Sequence, residues 1–165
     1  MPKQIEELLV KQLDEAYAME QTVLQMLTSM IKTTSDPAVV ADLETHRQET
    51  EQHAEKVKRC LESYGKSPSK VKEALGAMTA LMKAPMDLAR GQQEMRNGRD
   101  GFATEHLEIA AYRLLEHLGK EAGDEQVIQV ARENAADEER MAAHIQRNWE
   151  RLVARVVQDE GVETS

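Results

Sequence analysis

Glu20 stands in the middle of an otherwise apolar series, Ile5, Leu9, Leu13, Ala16, Glu20, Val23, Leu27 and Met30, spaced three and four residues apart. The anomaly recurs in three more series. One reads Val39, Leu43, His46, Thr50, His53, Val57, Leu61 and Tyr64, with Glu49 beside it. Another places Glu105 and Glu108 among Phe102, Ile109, Tyr112 and Leu115, and the last sets Glu138 within Ile128, Ala131, Ala135, Ala142, Ile145, Trp149, Leu152 and Val156. Residues three and four apart share one face of a helix, so each of four helices would turn an acid toward its core. A buried, uncompensated carboxylate costs several kcal/mol, and a group of them repels itself. Cations relieve both penalties, and carboxylates with imidazole form the donor set of hard-to-borderline divalent metals. The candidate ligands are Glu20, Glu49, His53, Glu105, Glu108 and Glu138. His46 fits equally a hydrogen-bonded core histidine or a further ligand. Tyr17 and Tyr112 adjoin the acids and read as hydrogen-bond donors to them.

The elements that must position these groups are helices. Strong helix formers fill the stretches between the Gly and Pro residues, and no strand-like run of β-branched or aromatic residues occurs. The first helix is expected from about Lys3 to Thr33, and Ser35-Asp36-Pro37 caps a second that runs to about Tyr64. Gly65 to Gly101 reads as a long connection with one short helix, Val71 to Met82. A third long helix is expected from near Asp100 to near Ala122, and a fourth from about Glu125 to Val157. Two short connections around one long one predict an all-α, ferritin-like four-helix bundle with a crossover that carries an extra short helix. Bundles of this kind hold di-iron or di-manganese centres with a Glu from each of two helices and a Glu-x-x-His from each of the others. One domain over residues 1–160 and a frayed tail at 161–165 are expected.

The bulk properties narrow the function. The chain has 165 residues, with 21 Lys+Arg against 30 Asp+Glu, a formal charge of −9 and 3% aromatic residues. That balance speaks against nucleic acid as a partner, since such partners call for a basic surface and stacking platforms. No apolar run approaches a spanning helix, and the N-terminus lacks the apolar core of a signal peptide. Cys60 is alone, which suits a reducing, cytoplasmic setting. Most of the acids read as an ordinary solvated surface, and the inward-facing ones are the exception.

Four segments bear a family resemblance. Asp14-Glu15-Ala16-Tyr17-Ala18-Met19-Glu20-Gln21, His46-Arg47-Gln48-Glu49-Thr50-Glu51-Gln52-His53, Glu105-His106-Leu107-Glu108-Ile109-Ala110-Ala111-Tyr112 and Asp137-Glu138-Glu139 resemble the helix motifs of the YciF/YciE-type ferritin-like stress proteins. The third segment matches almost residue for residue, and the likeness extends over about residues 4 to 155. The resemblance implies an intracellular, dimeric, ferritin-like protein related in fold to rubrerythrin. It also implies a stress-associated role and a di-metal site at Glu20, Glu49, His53, Glu105, Glu108 and Glu138. Two departures stand out: Ala142 replaces an Asp often found one turn after the last-helix Glu, and Met141 stands where Glu-x-x-His would place its His. Two iron or manganese ions are therefore expected, and a one-ion site stays open. The functional expectation is metal binding in the bundle core with chemistry toward dioxygen or peroxide. The rival is a metal-free helical homodimer acting as an interaction module.

Overall fold

The computed structural model describes residues 2–69, 90–159 and 161. The described residues form five helices: α1 (Lys3–Thr33), α2 (Pro37–Ser63), α3 (Arg90–Ala122), α4 (Glu125–Arg147) and α5 (Trp149–Asp159). The short helix expected at Val71 to Met82 lies outside the described residues, as does the tail apart from Gly161.

Capping chemistry sets the short turns. Asp36 accepts from the Ala38 N–H at 2.9 Å with Pro37 opening α2, and Asp124 accepts from the Val127 N–H at 3.0 Å to open α4. Gly123, at φ +69°, takes the left-handed conformation that ends α3, a position where a side chain would be strained.

Packing closes α1, α2, α4 and α3 into a ring, with each helix against the next. Side-chain bonds fix the directions. Asn97 near the start of α3 donates to Thr33 at the end of α1 (3.0 Å), and Tyr64 at the end of α2 donates to Asp124 just past α3. The end of α2 and the end of α3 therefore share one end of the bundle. α2 and α3 thus run in the same direction, as they do in a ferritin-like bundle with one long crossover. The apolar stripes meet inside: Leu9, Leu13, Val23, Val57, Leu61, Leu115, Val127 and Ala131 are all nearly or fully buried.

Two boundaries differ from the sequence expectation. α3 begins at Arg90 and passes straight through Gly98 and Gly101, ten residues ahead of the expected start. Glycine is a poor helix former, but tertiary contact decides here: a Cβ on Gly98 would stand 2.7 Å from Leu152 Cδ2, so its absence lets α5 pack close. The expected fourth helix is two, broken at Asn148. Its side-chain amide donates to the His144 carbonyl at 2.9 Å, while its own N–H turns to the Ile145 carbonyl at 3.0 Å. An Asn side chain that competes for backbone partners in this way ends one helix and starts the next.

Candidate metal centre

The four-helix ring brings one acid or imidazole set to its middle. α1 supplies Glu20, α2 His46 and His53, α3 Glu105 and Glu108, and α4 Glu138, and none is more than 1% exposed. Their ligand atoms fall into two groups, each drawn from atoms within 4.8 Å of one another: His46, Glu105, Glu108 and Glu138, and Glu20, His53 and Glu138. Glu138 belongs to both, so it would be the shared ligand if each group held an ion.

His46 Nε2 lies 3.2 Å from Glu105 and 3.7 Å from Glu138. His53 Nε2 lies 3.0 Å from Asp137, which Arg140 holds in turn, and its Nδ1 faces Glu138 at 2.8 Å. That second approach is close but poorly directed along the ring N–H, so it is a charge contact and not a hydrogen bond. If the Nε2 proton goes to Asp137, a nitrogen lone pair and a carboxylate confront each other at Nδ1, and only a proton or a cation between them removes the repulsion. Tyr112, fully buried, donates to Glu20.

The donors are under-satisfied. Among the described residues, eleven buried side-chain N and O atoms lack a hydrogen-bond partner, and nine belong to Glu20, His46, His53, Glu105, Glu108 and Glu138. Native interiors leave very few polar groups in that state, and a concentration of them in one place calls for a missing partner. Four carboxylates and two neutral imidazoles balance the charge of two divalent cations. With the protein's own groups alone, protons must do the work. Burial pushes Glu20 up to about 8 despite the opposing pull of His53, and Glu105 up to about 7 against that of His46. Burial and the neighbouring Glu138, Glu20 and Glu105 hold Glu108 well above the usual carboxylate range. Burial would lower His46, but Glu105 outweighs it and carries the imidazole up to about 9.

The structure thus brings Glu20, His53, Glu105, Glu108 and Glu138 together and sets Glu49 apart. On α2, His46, Thr50 and His53 occupy the inward face, and Glu49 falls at its edge. Its side chain is 33% exposed and reaches Arg140 at 3.3 Å and His46 Nδ1 at 3.6 Å, and it belongs to neither ligand group. His46, which its sequence position left open between two roles, sits in the four-residue group. Its spacing of seven from His53 is the sign that both rings share a face. His46 also brings imidazole to the side where α4 has Met141, since Met141 and Glu105 line the same cavity. Tyr17 packs half-buried against the core, and His106 stacks edge-on against Phe102.

Solved structures share this fold. The chain is similar to protein XCC3681 of Xanthomonas campestris, at 30% identity over 96% of this chain and 99% of that one, with a TM-score of 0.79. It shares the fold of the E. coli stress protein YciF (17% identity, 98% and 99% covered, TM-score 0.72). It also shares that of a structure of ferritin-like, diiron-carboxylate proteins from Bacillus anthracis (16%, 89% and 98% covered, TM-score 0.67). No described helix is long and apolar enough to cross a membrane. Residues 4–158 match the family described as a domain of unknown function, DUF892, and the chain belongs to that family.

Proposed function

We propose that the protein binds two iron or manganese ions in its bundle core and uses them in a stress-associated reaction with dioxygen or peroxide. One observation carries this reading: nine partnerless donor atoms converge from four helices on a site of four carboxylates and two imidazoles. Glu20 and His53 would hold one ion, His46, Glu105 and Glu108 the other, and Glu138 would serve both. When bound, such an ion pair supplies the one-electron steps that oxidant chemistry needs.

The chain's own groups prepare the site. Asp137 orients His53 through Nε2 and leaves Nδ1 for ligation, with Arg140 steadying Asp137. Tyr112 keeps a proton on its phenol, where burial and the Glu20 charge hold its pKa well above the ordinary value, and directs that proton at Glu20. Burial of every donor excludes bulk water, so ligand charges act at low dielectric. The free, buried Cys60 suits the reducing cytoplasm.

Metal analysis of protein purified without chelator tests the proposal. About two equivalents of iron or manganese are expected, falling to one or none in Glu108→Ala and Glu20→Ala. Protein that takes up neither metal, and whose melting temperature ignores chelator, would leave the metal-free helical module as the better reading.

The homodimer belongs to the same proposal. Leu107 (42% exposed) and Leu114 (66% exposed) stand two turns apart on α3, away from the core, and a second copy is the partner this reading gives them. Sedimentation should give twice the 18.6 kDa chain mass, and Leu114→Glu should give single chains. A wild-type mass of one chain would remove the dimer.

A further inference from the structure

An apolar cavity of about 120 Å³ reaches Glu105 from one end of the bundle, between the end of α1, the start of α2, the early turns of α3 and the α4–α5 break. Leu27, Val39, Leu43, Ile145, Trp149 and Leu152 supply much of its wall. The charged side chains at its rim are engaged with one another. Asp36 takes Arg151 at 3.0 Å and Arg155 at 2.7 Å, Glu94 takes Arg155 at 2.9 Å, and His144 meets Asp42 at 2.9 Å. Three acids thus face two arginines and His144 there, so the mouth has no excess of cations to draw an acid.

Two glycines of α3 line this space, and they differ. Gly98 has a packing reason, since a Cβ there would press on Leu152 at 2.7 Å and Trp149 at 3.3 Å. Gly101 has none: its Cβ would meet only Ile145 Cδ1, at an ordinary 3.6 Å. Alanine would fit at 101 and is the better helix former, so glycine there weakens the helix without a packing need. A glycine without a packing need, an apolar wall and a carboxylate of the candidate centre on the same lining are the features of a binding space.

We propose that this cavity binds a compact, neutral, apolar molecule beside Glu105. Apolar cavities of roughly 150 Å³ admit benzene, which sets the size class at about six carbons, aromatic or cyclic aliphatic. The inference goes beyond the metal-centre reading and does not require a metal, because every wall it uses is protein.

The test is a titration of benzene into the full chain, followed by amide NMR, as purified and again after chelation. Saturable shifts are expected around Leu27, Gly101 and Ile145 in both states. Gly101→Leu should weaken benzene at least about tenfold, and Gly101→Ala, which the packing accepts, should weaken it less while keeping the fold. Benzoate, the same ring with a charge, should bind at least about tenfold more weakly than benzene. Absence of saturable benzene binding, equal affinity in the wild type and both variants, or benzoate binding more tightly than benzene would each overturn the proposal. Benzene binding in protein shown to take up no metal supports the cavity and removes the metal reading; metal uptake without benzene binding does the reverse.

Discussion

Glu108 and Glu116 stand eight residues apart on the same helix, both with little exposed surface, and they live in opposite surroundings. Glu116 is covered by basic side chains: Lys120 at 2.7 Å, Arg132 at 2.8 Å and Arg113 at 3.1 Å. Hydrogen bonds from Lys120 and Arg132 pull its carboxyl down to about 2. Among the described residues Glu108 has no ion-pair partner and no hydrogen-bond partner on either oxygen, and burial holds its pKa well above the usual carboxylate range. The chain has 21 Lys and Arg to spend on its acids, and among the described residues none of them pairs with Glu20, Glu105, Glu108 or Glu138. The inner acids thus meet imidazoles and a phenol but no Lys or Arg among the described residues, and the proposed ions would supply the missing positive charge.

This contrast can be broken from either side. The largest effect should come from metal itself. At about a hundredfold excess over Kd, one bound ion stabilises the folded chain by about 2.7 kcal/mol. Chelating loaded protein should therefore lower its melting temperature by on the order of 10 °C in calorimetry. Next comes Glu108→Leu. Replacing a buried, unpaired acid with an apolar side chain of similar size should stabilise metal-free protein by about 2 kcal/mol in urea unfolding, and should cut metal uptake. Loss of stability in that variant would mean that Glu108 has a partner within the protein. Tyr112→Phe removes the donor to Glu20 and should cost about 1 kcal/mol in the same assay.

The smallest effect belongs to Glu116→Gln, and its sign depends on pH. Because the folded carboxyl titrates at about 2 and its ordinary value is 4.5, its stabilisation is complete above about 4.5 and disappears as the pH falls toward 2. Wild type should therefore melt slightly above Glu116→Gln at pH 7, and the two should converge near pH 2. A gap that persists at low pH would place the effect in packing, not in charge.

Much of this was legible in the chain. The stripes around Glu20, Glu105, Glu108 and Glu138 follow helical spacing strictly, so those residues could be turned inward without knowing their neighbours, and the short connections at Asp36 and Asp124 carry explicit caps. What escaped the pattern depends on a second helix. Gly98 reads as a breaker until α5 is seen lying against it, and the break at Asn148 rests on one side-chain amide taking a backbone carbonyl. On α2, His46, Glu49 and His53 fall within one arc too narrow for spacing to rank. Thr50, fully buried, lies on the far side of His46 from Glu49, so the buried face is centred away from Glu49, which stands at its edge within reach of Arg140.

The central claim, that ions from outside the chain compensate the inner acids, is tested most directly by anomalous diffraction from crystals grown with iron or manganese. Two peaks in the bundle core are predicted, one between Glu20 and His53 and one among His46, Glu105 and Glu108, with Glu138 touching both. A core with no anomalous peak, and its acids bonded to waters or to one another, would contradict it.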